Sequence, residues 1–329
     1  CGADPSFAIG GTITASGSNA HRGTGEIFVA EADESDGSFI EYNPFAAIVT
    51  NVEHDHVDFF ATAESVAQAF RDFAATIKPG GFLTYCADDQ GAVALANSVS
   101  GTELVSYGVS ENANLHIDQI ELLTMGSTAR AIWNGKSVGH IKLQVPGHHN
   151  LLNAAGVLAT GLKLGFGAAE LLTGLSTFRG TGRRFEVKGT VHGVRVIDDY
   201  GHHPTELKVT LEAARRYAAD GRLIVIFQPH RYSRTQAFAQ GFADVLDTAD
   251  RAIVLEVYAA SEKPIDGVTS KIITSKMSKG EYIPNFVEVT DSVIAMAEPG
   301  DVIMTLGAGD VSSLAPIIVD GLARRFNQS

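Results

Sequence analysis

Apolar residues in this chain gather into short, nearly continuous runs that end abruptly in charged side chains. Residues 27–30, 45–52, 194–197 and 223–227 are the clearest, each rich in Ile, Val or Phe. Runs of that length and composition are expected of strands buried on both faces. The third leads into Asp198, Asp199, Tyr200, His202 and His203, after which Pro204 and Thr205 open a helical pattern. The first is followed by four acids within residues 31–36, the second by His54, Asp55, His56 and Asp58, and the fourth by His230 and Arg231. Open α/β sheets bind ligands in the crevice beyond the carboxyl ends of their strands. Four strand ends emptying into charged or metal-binding side chains predict an enzyme rather than a binding module.

The spacing predicts a helix over 64–77, with Val66, Phe70, Phe73 and Ile77 on one core-facing stripe, and a strand over 82–85. Residues 100–145 read as β-rich and irregular, with strands at 104–107, 129–133 and 141–145. The sequence Pro-Gly-His-His-Asn (146–150) turns sharply into a helix that Asn150 can cap, with Leu151, Leu152, Ala155, Leu158 and Leu162 inside. A helix at 168–175 then reaches Phe-Arg-Gly-Thr-Gly-Arg-Arg-Phe (178–185), a flexible basic link and the best boundary. Two domains follow, 1–182 and 183–329. Beyond the link, strands at 191–197, 223–227, 253–257 and 302–306 alternate with helices at 205–219 and through Phe238, Phe242 and Val245. The fold class is α/β: a mainly parallel sheet domain, then a Rossmann-like doubly wound domain. The Gly-Ala-Gly-Asp turn at 307–310 lacks the third glycine of a dinucleotide fingerprint and reads as a tight strand-to-helix turn.

Length and charge narrow the function. The 329 residues suffice for two domains, and 45% hydrophobic residues can bury a core in each. A net charge of −13 argues against nucleic acid and anionic membranes as partners but leaves room for a phosphorylated small molecule. No apolar run approaches a bilayer span, and two cysteines are too few for a disulfide framework, so a soluble cytoplasmic protein is expected. The start, Cys-Gly-Ala-Asp-Pro without Met, reads as a turn taken mid-domain, so a fragment is expected.

Candidate chemistry sits at the strand ends. A carboxylate among residues 31–36 suits Mg²⁺, which takes one or two carboxylates plus substrate phosphates, although a solvated acidic loop also fits. The crowd at 54–58 fits a second metal ligand or a phosphate contact; zinc would want a fuller His/Cys set. Asn150 and Asn153 are either a cap and a solvated surface amide or a pair reading a nucleobase edge. An arginine in the 178–185 link suits polyphosphate, because its fork binds two oxygens at once.

Six motifs in order resemble the Mur ligase family: Ala-Glu-Ala-Asp-Glu-Ser-Asp (30–36), Thr-Asn-Val-Glu-His-Asp-His-Val-Asp (50–58), Pro-Gly-His-His-Asn-Leu-Leu-Asn (146–153), Gly-Thr-Gly-Arg-Arg-Phe (180–185), Asp-Asp-Tyr-Gly-His-His-Pro-Thr-Glu (198–206) and Phe-Gln-Pro-His-Arg-Tyr-Ser-Arg-Thr (227–235). The last two favour an alanine-adding member over those adding glutamate, a diamino acid or a dipeptide. The resemblance implies a central ATP-binding domain, a C-terminal amino-acid-binding domain, and a ligase of peptidoglycan synthesis. ATP would phosphorylate the muramoyl carboxylate of UDP-N-acetylmuramate, and L-alanine would attack the acyl phosphate. It also implies roles. Glu34 would hold the Mg²⁺ bridging the β- and γ-phosphates, and His56 would help hold a second. Asn150 and Asn153 would sit at the adenine, with Arg184 and Asp199 on the nucleotide. Tyr200, His202, His230, Arg231 and Arg234 would line the alanine and muramoyl side. The alternatives are a member that recycles murein tripeptide onto the same nucleotide sugar and a non-catalytic remnant. A monomer or a homodimer is expected. The family's Gly-rich phosphate loop ending in Lys-Thr/Ser does not occur in these residues, so this stretch alone is expected to bind ATP poorly and turn over nothing measurable.

Overall fold

A computed structural model describes residues 1–327 and divides into two compact units, one from Cys1 to Arg179 and one from Gly180 onward. The first unit opens with strands β1 (Ser6–Ile13), β2 (Ser18–His21) and β3 (Phe28–Ala30), which make a small sheet ordered β2-β1-β3. The run at 27–30 is thus a strand but not a buried one. Phe28 and Val29 are 62% and 50% exposed, because β3 pairs only with β1, at the edge of a three-stranded sheet. A continuous apolar run marks a strand without saying what covers it.

The main sheet of this unit contains β4 (Ala46–Val49), β5 (Phe82–Cys86), β6 (Glu103–Gly108), β7 (Leu115–Leu122), β8 (Ser127–Trp133) and β9 (Lys136–Leu143), in that spatial order. Strands β4 to β7 run parallel, and β7 to β9 form an antiparallel meander. Helix α1 (Ala63–Ala75) starts from a capping box between Thr62 and Ser65 and buries Val66 and Phe73, the latter stacked on Phe39 at 4.9 Å. Helix α2 (Gln90–Ser98), capped by Asp89, and strand β7 were not resolved by the hydrophobic spacing. Helix α3 (His148–Lys163) buries Leu151, Ala155 and Leu158 against the sheet, and α4 (Ala168–Thr177) follows. Its cap corrects an expectation: the N-cap is Gly147, at φ 104°, and Asn150 lies in the first turn, its Nδ2 donating to the Pro146 carbonyl at 2.6 Å. The close chain reversal after Pro146 takes the cap position from Asn150.

The second unit begins with a hairpin, β10 (Glu186–Val191) and β11 (Val194–Asp199), turned by His192 and Gly193, both at positive φ. The expected strand at 191–197 was therefore two strands, divided at that turn. Then come α5 (Pro204–Ala218), β12 (Leu223–Phe227), α6 (Tyr232–Leu246), β13 (Arg251–Val254), α7 (Lys271–Thr274), β14 (Gly280–Tyr282), α8 (Phe286–Met296), β15 (Val302–Leu306) and α9 (Leu314–Asn327). The sheet order is β10-β11-β15-β12-β13-β14, parallel except for β10. The inner strand β12 is apolar throughout because both of its faces are covered. Leu223, Val225 and Phe227 pack with α5 and α6, while Ile224 and Ile226 pack with α8 and α9. Each such side chain contributes roughly 1.5–3 kcal/mol by burial. Among the described residues no helix is long and apolar enough to cross a membrane.

Candidate active site

Strands β11, β15 and β12 are parallel neighbours, so their carboxyl ends open on one edge of the second unit. Asp198, 1% exposed, accepts from Thr305 Oγ1 at 2.6 Å and from Arg183 Nε at 3.2 Å. Arg183 also donates to the carbonyls of Gly307 (2.6 Å) and Gly309 (3.3 Å), tying the link to the turn after β15. Asp199 is buried beside it and accepts the backbone N–H groups of Phe185 and Gly201, each at 2.8 Å. Burial raises its carboxyl to about 6, against the pull of the Gly201 N–H and Arg184. Gln228, at the end of β12, donates to Asp310 Oδ1 (2.7 Å) and accepts from the Val311 N–H (3.0 Å). The turn at 307–310 is thus the tight strand-to-helix connection its glycines suggested; a Cβ on Gly307 would lie 2.6 Å from the Gln228 carbonyl.

Over this floor stand the ring and cationic side chains. The guanidinium groups of Arg183 and Arg184 lie 5.0 and 5.5 Å from the Tyr200 ring centre. Tyr200 meets His202 edge-on at 5.2 Å, and His202 is 5.9 Å from the His230 ring. Glu206 holds the start of α5 by accepting the N–H groups of His202 (2.8 Å) and His203 (3.2 Å) and pairs with Arg184 at 3.3 Å. Burial works to raise the Glu206 carboxyl, but His202, Arg184 and the two N–H groups outweigh it and hold the group below its usual range. Burial, reinforced by His202, Arg234 and Arg231, lowers His230 to about 4, so it is neutral near pH 7. Arg234 is 3% exposed, with Nη1 3.5 Å from His230 Nδ1, which a neutral imidazole can offer as an acceptor.

The structure therefore brings together Arg184, Asp199, Tyr200, His202, His230, Arg231 and Arg234 on one edge of one unit. In the first unit it brings Glu34 and His56 together, with His56 Nε2 3.1 Å from Glu34 Oε1 and Asp55 Oδ2 at 3.8 Å. His56 has φ 49°, a conformation uncommon for a residue with a Cβ and of the kind that gathers at functional sites. Among the described residues no group of three or more His, Cys, Asp or Glu side chains forms a metal cage. One carboxylate and one imidazole do not suffice for structural zinc, whereas the Glu34 carboxylate is an oxygen donor of the kind Mg²⁺ takes, its remaining ligands coming mostly from water and phosphate. Asn150 is half-buried and Asn153 exposed, one turn apart on α3. Sequence reasoning missed Arg183, Glu206 and Gln228. The doubled arginine offered a signal for the first, but spacing alone does not say which guanidinium points inward.

Two α/β units carry this strand-end chemistry, and the chain they form belongs to the Mur ligase family. The Mur ligase middle domain matches residues 12–161, and the domain described as Mur ligase, glutamate ligase domain matches residues 183–309. Among its relatives, the chain is 48% identical over 324 residues to the UDP-N-acetylmuramate--L-alanine ligase of Paenarthrobacter aurescens, covering 98% of this chain and 70% of that protein. It is 45% identical over 340 residues to the enzyme of the same name from Mycobacterium marinum, covering 100% and 70%. The crystal structure of UDP-N-acetylmuramate-alanine ligase MurC from Thermotoga maritima superposes with a TM-score of 0.79 at 27% identity, covering 99% of this chain and 70% of that one.

Proposed function

We infer that this protein joins L-alanine to the muramoyl carboxylate of UDP-N-acetylmuramate, coupled to ATP, in cytoplasmic peptidoglycan precursor synthesis. The observation that carries the reading is identity of 45–48% along essentially the whole chain to ligases of that name, together with a cationic, histidine-bearing strand edge suited to an amino-acid carboxylate.

The reaction needs a carboxylate made electrophilic and an amine brought to it. Phosphoryl transfer from ATP to the muramoyl carboxylate gives an acyl phosphate and ADP; the alanine amine then attacks, and phosphate leaves. Two anions meet in the first step, so positive charge must be placed along the line of attack. Glu34 and His56 are the residues we assign to Mg²⁺, which when bound supplies that neutralisation. Asn150 and Asn153 are assigned to the adenine, and Arg184 and Asp199 to the nucleotide. Arg231 and Arg234 receive the alanine carboxylate, for which a guanidinium offers paired donors. Neutral His230, with His202 and Tyr200 beside it, lines the alanine and muramoyl side and takes no charge at neutral pH to repel the incoming ammonium.

Oxygen transfer tests the chemistry. With the muramoyl carboxylate labelled with ¹⁸O, one labelled oxygen is expected in the released phosphate; unlabelled phosphate would contradict activation through an acyl phosphate. We also propose that residues 1–329 alone, which hold no Gly-x-x-x-x-Gly-Lys-Thr/Ser stretch, release little ADP. Alanine-dependent ADP release from that stretch alone at the rate of the full-length enzyme would overturn this.

A further inference from the structure

The turn that carries Arg231 is strained and is held from outside its own element. Arg231 has φ 69° and ψ 140°, far from where a side chain with a Cβ rests, which costs on the order of 1–3 kcal/mol. It is also the N-cap of α6. That position normally supplies an oxygen to the first N–H groups of a helix, and an arginine has no acceptor to give. No side chain within α6 takes over, so both the strain and the missing cap have to be met by another segment.

Residues 256–262, just past β13, meet both. The Tyr258 N–H donates to the Pro229 carbonyl and the Arg231 N–H donates to the Tyr258 carbonyl, each at 2.8 Å, making a parallel bridge of His230 with Tyr258. The Tyr258 ring stacks on the His230 imidazole at 5.5 Å with 13° between planes. Four residues on, Glu262 caps α6 from the side. Its Oε2 accepts the Ser233 N–H at 3.1 Å and its Oε1 accepts the Ser233 hydroxyl at 2.5 Å. A carboxylate at a helix N-terminus also answers the helix dipole. Glu262 is delivered there by Ala260 and Ser261, two successive residues at φ 45° and 73°. Gly309 packs against the tyrosine, where a Cβ would lie 2.8 Å from Tyr258 Cγ. The carbonyl of Gly309 is in turn held by Arg183.

We propose that Tyr258 and Glu262 are positioning residues for recognition of the amino-acid substrate's carboxylate: the ring fixes His230, the strand bridge fixes Arg231 in its strained conformation, and the Glu262 cap fixes the first turn of α6 from which Arg234 projects. Neither residue touches substrate in this account. The proposal rests on the alanine-ligase reading above. Its consequence is specific: loosening the clamp weakens the hold on the amino acid while leaving the nucleotide side unchanged.

The test uses the full-length enzyme with Tyr258→Ala, Tyr258→Phe, Glu262→Ala and Glu262→Gln, reading ADP release against alanine and against ATP. Tyr258→Ala and Glu262→Ala are expected to raise KM for alanine by about tenfold or more, with KM for ATP within about twofold of wild type and Tm nearly unchanged. Tyr258→Phe, which keeps the ring, is expected to restore the wild-type KM, and Glu262→Gln, which keeps one acceptor oxygen, to fall between. Unchanged KM for alanine in both alanine variants, with wild type using alanine normally, would overturn the clamp and leave the ligase reading standing. Equal loss against both substrates accompanied by a fall in Tm would mark the two residues as merely structural and also overturn it. A wild-type enzyme indifferent to alanine would overturn the reading and the clamp together.

Discussion

His56 Nε2 lies 3.1 Å from Glu34 Oε1, joining two residues that are 22 positions apart in the chain and that leave two different strands. Neither belongs to the buried core, so their pairing is not needed to fill it. For Glu34→Gln and His56→Ala we expect the Mg²⁺ concentration for half-maximal ADP release to rise by about tenfold or more, with melting temperature nearly unchanged. A Mg²⁺ titration followed by ADP release checks this, and an unchanged requirement would remove both residues from the metal.

Arg183 and Arg184 are adjacent but differ in what they hold. Arg183 faces Asp198, which is 1% exposed, whereas Arg184 pairs with Glu206 on a half-exposed side chain. Removing one partner of a buried pair leaves an uncompensated charge, so Arg183→Ala is expected to cost about 3 kcal/mol in urea unfolding. Arg184→Ala is expected to cost less than about 1 kcal/mol and to raise KM for ATP instead. Equal destabilisation by both would contradict the division of labour.

Asp199 ties stability to pH. Its carboxyl is raised by burial to about 6 from an ordinary 3.8, so the folded state favours the protonated form. The contribution to stability is complete below pH 3.8 and is lost as the pH rises through 6. Relative to Asp199→Asn, wild type should lose on the order of 2–3 kcal/mol between pH 4 and 6 and then stay level. A stability difference that is flat over that window would contradict the burial assigned to this carboxylate.

His230 shifts the opposite way, from 6.5 down to about 4, by burial and then by its cationic neighbours. The folded state favours the neutral ring, so its contribution is present above pH 6.5 and lost as the pH falls through 4. The His230 imidazole resonance should titrate near pH 4 and move upward in Arg234→Gln, which removes one of those neighbours. A midpoint near 6.5 would contradict a neutral ring held by burial.

The polar strand ends were more legible in the sequence than the layers that carry them. The strand ends at Asp198–Asp199 and Gln228 showed because apolar runs give way to polar groups where a sheet meets solvent. The second unit's alternation was readable because its covered strands carry mostly apolar runs, as in Leu223–Phe227. Exposure was not: residues 27–30 look as buried as 223–227, and only pairing partners separate an edge strand from a central one. Helix α2 is a mix of Ala, Gly and Ser with a weak stripe, and β7 alternates around Gln119 at positive φ, so neither carries a clean period. At these strand ends the sequence drew attention to single residues and not to what holds them. Arg231 was evident from the Gln-Pro-His-Arg run, whereas Glu262 caps its helix across 29 positions of chain.

The most direct measurement is ADP release by the full-length protein with Mg²⁺ and UDP-N-acetylmuramate, given in turn alanine, serine, glycine and murein tripeptide. Release strongest with alanine, and lost in Arg231→Ala, is the expected result. Release only with tripeptide, or with none of the four, would contradict the assignment of this strand edge to alanine.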